Sequence, residues 1–110
     1  MPVTTVEKVT ALSRDFGSQR RLAELLDVSP AQVTRWRRGQ GIDEVNAGRV
    51  DLLELVMSQL LRLYSTVAAE RWLIGANPSL GGRRPVDLIR RGQARELLDA
   101  LASERAGSFA

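Results

Sequence analysis

Apolar residues recur every three or four positions along nearly the whole chain, the rhythm of helices rather than of strands. In "TTVEKVTALSRDFG", Val6, Val9, Leu12 and Phe16 share one face. Thr4 and Glu7 stand ahead of it as a capping box, and Gly17 closes it. This predicts a first helix. "SQRRLAELLDVSPAQVTRWRRGQG" predicts two short ones: Ser18 caps a helix running to about Leu26, Ser29, Pro30 and Gln32 start another, and Gly39 ends it.

From about Asp43 to Leu73 runs the longest periodic segment, which predicts a single long helix. Asp51, Glu54, Ser58, Arg62 and Ser65 make one narrow polar stripe, while Val50, Leu53, Val56, Met57, Leu60, Leu61, Tyr64 and Val67 cover most of the rest. Such a helix must be covered on more than one side, by its own unit and by a second copy of the chain. Asp51, Glu54, Gln59 and Arg62 within one short window argue against a membrane span. The stretch Gly75 to Pro85 breaks the pattern. Pro85, Leu88, Ile89 and Gly92 then describe a helix of two turns, and "QARELLDALASER" one more that buries Ala94, Leu97, Leu98 and Leu101. The expected fold is all-α with six helices or so, a helix-turn-helix followed by a long dimerising helix and two short C-terminal ones.

Composition narrows the chemistry. A chain of 110 residues is one small domain or two very small modules. It has no Cys and no His, so thiolate zinc sites, disulfides, Cys nucleophiles and the commonest general base are all missing. We therefore expect no enzyme, no metal and no cofactor. "MPVTTVEKVT" lacks a basic segment followed by an apolar core, which points to a cytoplasmic protein. The net charge is +3, and Lys8 is the one lysine among 16 basic residues. Arginine suits bidentate contact with phosphate or carboxylate, although a GC-rich coding sequence produces the same preference.

Between Ser18 and Gly41 five arginines face Glu24 and Asp27, a surplus of +3 that equals the net charge of the whole chain. Leu22, Ala23, Leu26, Val28, Val33 and Trp36 hold the positions needed to pack two helices across a tight turn. With "VSPAQVTRWRRG" they resemble the helix-turn-helix of phage-repressor-like (Xre-type) regulators, although Asp27 stands where that family usually has Gly. Asp tolerates a left-handed backbone better than most residues. With Val33 and Trp36 inward, Ala31, Arg35 and Arg38 face outward and Gln32 and Thr34 lie at the edges. Ser29, Ala31, Gln32, Thr34, Arg35 and Arg38 are thus the candidate DNA contacts. Solvation of an exposed helix is the competing reading. Tight binding by so few phosphate contacts requires a homodimer on a two-fold operator.

"ANPSLGGRRPVDLIRRGQ" (residues 76–93) lacks the Gly-Lys-Ser/Thr of a Walker loop and the spaced glycines of a dinucleotide fingerprint. Its order Trp72-Leu73, Asn77, Leu80, Gly82, Pro85, Asp87-Leu88-Ile89 and Gly92 resembles instead the C-terminal domain of the MbcA/ParS/Xre antitoxin family over about residues 45 to 110. It departs at Ala76, where the family often has Pro, and has Pro78 just beyond the Asn. The resemblance implies an antitoxin of a type II toxin–antitoxin pair that dimerises, binds an NAD-degrading RES-domain toxin from the same operon and represses that operon. It divides the chain into a DNA-binding module at 1–42 and a dimerisation and toxin-binding domain at 43–110.

In the family's mycobacterial members the extreme C-terminus plugs the toxin active site, which here falls on Gly107, Ser108, Phe109 and Ala110. A terminal aromatic anchor fits that role, and a frayed tail is the alternative. Arg83, Arg84, Arg90 and Arg91 carry spare polar chemistry for a toxin, or simply solvate their helix. Trp72, Leu80, Leu88 and Ile89 read as core, and Asp87 as a group placed to meet a helix N-terminus. A stand-alone helix-turn-helix regulator whose C-terminal half only dimerises is the alternative function.

Overall fold

A computed structural model describes residues 4–107, and among them it shows seven α-helices and one 3₁₀ turn, with no strand. The helices are α1 (Thr5–Asp15), α2 (Gln19–Leu26), α3 (Pro30–Arg37), α4 (Glu44–Leu60), α5 (Thr66–Ile74), α6 (Pro85–Arg91) and α7 (Ala94–Gly107). The chain divides into two compact units, Met1–Glu54 and Leu55–Ala110, so that the division falls inside α4. The all-α expectation holds.

In the first unit the helix starts are those the caps dictate. The Thr4 hydroxyl accepts the Glu7 N–H at 3.2 Å, and the Ser18 hydroxyl accepts that of Arg21 at 3.1 Å. At α3 the box is reciprocal: Gln32 N–H donates to the Ser29 hydroxyl at 3.2 Å while Ser29 N–H donates to the Gln32 side-chain oxygen at 3.0 Å, with Pro30 supplying a preset φ. Val9, Leu12, Phe16, Leu22, Ala23, Leu26, Val33 and Trp36 are buried as the periodicity predicts, Leu25 joins them, and Val6 and Val28 are half-buried. Each fully buried Leu contributes roughly 1.5–3 kcal/mol.

Asp27 ends α2 in the left-handed region, at φ 57° and ψ 49°, and it is the one described non-glycine residue with positive φ. The reversal lets Val28 N–H donate back to the Ala23 carbonyl at 3.0 Å. Asp27→Gly is expected to stabilise the chain by up to about 1 kcal/mol. It releases roughly 1–2 kcal/mol of left-handed strain, offset by about 0.5–1 kcal/mol of extra chain entropy lost by glycine. Urea unfolding checks this, and a lower midpoint for the glycine variant would show that the aspartate side chain supports the turn.

The structure corrects the single helix expected from Asp43 to Leu73, which is two helices separated by residues 61–65. After Leu61 N–H reaches the Met57 carbonyl, the backbone tightens, and Arg62 and Leu63 donate three residues back to Gln59 and Leu60. Ser65 then adopts an extended conformation and its hydroxyl accepts the Ala68 N–H at 3.2 Å. A polar residue read as part of a stripe is in fact the cap that starts α5. Val50, Leu53, Val56, Met57 and Leu60 are buried as expected, whereas Leu61 and Val67 are exposed, as are Leu55 and Ile74.

The second unit buries Ala69, Leu73, Leu80, Val86, Leu88, Ile89, Leu97, Ala100 and Leu101. Pro85 opens α6, and Gly92 closes it at φ 69° with its N–H on the Ile89 carbonyl. No helix among the described residues is long and apolar enough to cross a membrane.

Candidate functional sites on the two units

The outer face of α3 is the first site. Ala31, Arg35 and Arg38 are exposed, and Gln32 and Thr34 are half-buried at its edges. These residues differ in how free they are. Ser29 and Gln32 are tied together in the capping box, so Gln32 already has its oxygen engaged. The Thr34 hydroxyl donates to the Pro30 carbonyl at 3.1 Å and accepts the Gln19 amide at 3.2 Å. Arg35 and Arg38 carry no ion pair with any described residue.

Three residues not singled out from the sequence join this face. Arg37 donates to the Gln19 side-chain oxygen at 3.0 Å, so one amide at the start of α2 holds both Arg37 and Thr34 of α3. Beside it a polar hollow of about 330 Å³ is lined by Arg14, Ser18, Gln19 and Arg37 among others. Two guanidiniums and a capped helix start suit a phosphate oxygen. Arg14 and Gln19 belong to different helices, and only the tertiary fold brings them together.

In the second unit the ordered motif of residues 72–92 acquires physical roles. Asn77 is buried and closes its loop on itself. Its side-chain oxygen accepts the Ser79 N–H at 2.9 Å, its carbonyl accepts from Leu80 at 3.0 Å and Gly82 at 2.9 Å, and its N–H donates to the Arg83 carbonyl at 3.0 Å. Pro78 opens the 3₁₀ turn Pro78–Leu80, and Gly81 and Gly82 take positive φ values that let the chain double back. The Pro shifted past the Asn is thus accommodated at the first position of a turn. Leu80, Leu88 and Ile89 are core, as expected. Trp72 is half-buried, and its indole N–H is buried without an acceptor among the described residues.

Of the four arginines proposed as toxin contacts, three have partners within the unit. Arg83 donates to the Leu80 carbonyl at 2.8 Å and pairs with Glu96. Arg84 grips both oxygens of Asp87, at 3.0 and 3.1 Å, and Arg90 reaches the same carboxylate at 3.4 Å. Hydrogen bonds from Arg84, followed by the positive charge of Arg84, Arg90 and Arg91, hold the Asp87 carboxyl below the usual range against a desolvation that opposes them. Arg91 is exposed and unpaired among the described residues. Gly107 ends α7; Ser108, Phe109 and Ala110 lie outside the described residues. Among the described residues no group of three or more acidic side chains is placed to hold a metal.

This turn–helix–helix arrangement has known counterparts. The family profile "Antitoxin Xre/MbcA/ParS C-terminal toxin-binding domain" matches residues 53–107, half of the chain. The chain belongs to the Xre/MbcA/ParS antitoxin family. The mycobacterial cidal antitoxins MbcA of Mycobacterium bovis and Mycobacterium tuberculosis are 29% identical to it over 89 residues, 80% of this chain and 79% of theirs. A chain of the crystal structure of the M. tuberculosis MbcT–MbcA toxin–antitoxin complex superposes with a TM-score of 0.77 at 25% identity, covering 99% of this chain and 100% of that one. The Xre/MbcA/ParS match spans the later part of α4, all of α5 and α6, the Asn77 loop and α7. The α3 face lies outside the profile but within the superposed solved chain.

Proposed function

We propose that this chain is the antitoxin of a type II pair: it neutralises an NAD-degrading RES-domain toxin from the same operon by binding it, its C-terminal tail blocks the toxin active site, and it represses the operon through α3. The observation that carries this reading is the likeness over 99% of the chain to a chain of a solved toxin–antitoxin complex. The toxin-binding family match over residues 53–107 supports the same conclusion from sequence.

Free arginines at Arg35 and Arg38, beside the Arg14–Arg37 hollow, give α3 the chemistry for a phosphate backbone and for guanine edges. A homodimer doubles the number of phosphate contacts. The exposed apolar side chains Leu61, Val67 and Ile74, the last two a pair seven residues apart on α5, supply surface for a second copy.

Co-expression tests the reading. The toxin, encoded by the adjoining reading frame and induced alone, is expected to arrest growth and deplete NAD, and this chain is expected to restore both. Operator binding without any rescue would instead favour a stand-alone regulator whose second unit only dimerises.

A further inference from the structure

The two units differ in charge. Residues 1–54 carry eight basic and eight acidic side chains, so the surplus around α3 is balanced within its own unit. Residues 55–110 carry eight arginines against five acids, which places the net charge of +3 in the second unit. Five of those arginines fall between residues 83 and 95, a span whose one acid is Asp87. Salt screens exposed charges beyond about 10 Å at 0.1 M, so they act together only where the fold clusters them.

Helix α6 clusters three of them. It buries Pro85, Val86, Leu88 and Ile89, and Arg84, Asp87, Arg90 and Arg91 recur at steps of three or four on the side left over. Arg84 donates to both Asp87 oxygens, at 3.0 and 3.1 Å, and Arg90 to one of them at 3.4 Å. A guanidinium has five N–H groups, so Arg84 is held in place and still has donors to offer. Arg91 is exposed and has no partner among the described residues. The Asp87 carboxyl is held below its usual range by the Arg84 hydrogen bonds first and then, against desolvation, by the charges of Arg84, Arg90 and Arg91. All three guanidiniums therefore lie within reach of one carboxylate. The cluster keeps a surplus of +2, while Arg83 turns away to the Leu80 carbonyl and Glu96.

We propose that the face of α6 formed by Arg84, Arg90 and Arg91 docks an acidic patch on the surface of the toxin. The proposal rests on the antitoxin reading and locates one of its contacts. A second copy is a poor occupant, because a two-fold contact centred here sets the patch against itself, like charge to like. A DNA backbone fits less well, since Asp87 stands in the middle of the cluster and would face phosphates. Carboxylates on a protein surface take paired N–H bonds from guanidiniums, and those already held in place lose less side-chain entropy on docking. The partner is the toxin because the profile of the toxin-binding domain spans the whole of α6.

Surface plasmon resonance of the full chain with the purified toxin of the adjoining reading frame, at low and high salt, tests this. Arg91→Glu is expected to weaken binding tenfold or more at low salt, chiefly through slower association, because exposed interface charges act on encounter. Arg84→Gln is expected to weaken it severalfold. Arg91→Lys keeps the charge and is expected to associate as fast as wild type. Arg91 is exposed and unpaired among the described residues, so its variants are expected to melt with the wild type. Arg62→Glu is the control: the same reversal of charge at an exposed residue between α4 and α5, expected to bind as wild type. Wild-type association in Arg91→Glu and Arg84→Gln, or an equal loss in Arg62→Glu, overturns the patch and leaves the antitoxin reading standing. So does a loss of operator affinity with toxin binding unchanged, which assigns the patch to DNA. Failure of the wild-type chain to bind the toxin overturns both.

Discussion

Replacing Arg35 and Arg38 together by alanine is expected to lower operator affinity by roughly 30-fold to 10⁴-fold per half-site. Each arginine that reads a base edge carries about 1–3 kcal/mol, and a tenfold change corresponds to about 1.4 kcal/mol. If one of them instead holds a phosphate, its loss lowers the slope of log affinity against log salt by about one. The pair matters because its neighbours on α3 are already engaged: Gln32 in the capping box, Thr34 with Pro30 and Gln19, and Arg37 with Gln19. Both side chains are exposed, so the double variant is expected to melt with the wild type. Fluorescence anisotropy over a salt series separates the two kinds of contact. Unchanged affinity and slope would remove α3 as the reading helix.

Removing residues 106–110 is expected to abolish rescue from the toxin while leaving operator binding intact. Phe109 is the one aromatic residue after Trp72, and Gly107 and Ser108 before it are small enough to let it enter a narrow pocket. A single buried aromatic anchor typically carries about 2–4 kcal/mol. Phe109→Ala alone should therefore weaken inhibition by about 30-fold to 1000-fold. A steady-state assay of NAD loss with increasing antitoxin measures it. Full inhibition by the truncated chain would exclude the tail as a plug.

Features set by near neighbours along the chain are legible in the sequence itself. Ser29-Pro30-x-Gln32 announces a helix start because all the groups that satisfy it lie within four residues, and Asp27 in the turn is consistent with the left-handed backbone it adopts. The break at residues 61–65 is not legible. Apolar residues continue through it without losing period, since Leu60, Leu63 and Tyr64 still turn inward to varying degrees, and Ser65 fits a polar stripe as well as a cap. The fate of the arginines is hidden for a different reason. Arg83 finds Glu96 thirteen residues away and Arg37 finds Gln19 eighteen away, and an order of charges along the chain does not show which partners the fold will supply. In the sequence Asn77 stands out only as a member of a family pattern; its four hydrogen bonds give the reason for its place there.

Helix α4 constrains how such an antitoxin could be recombined. Val50 and Leu53 lie before the division at Glu54 and Val56, Met57 and Leu60 after it, and all five are buried from one uninterrupted helix. A chimera that joins the first unit to another antitoxin's C-terminal half must therefore splice within α4 and keep its phase. One residue too many or too few rotates every later position of the helix by about 100°. Any such fusion has to match both halves to the pitch of this helix, which makes α4 a gauge on which junctions can survive.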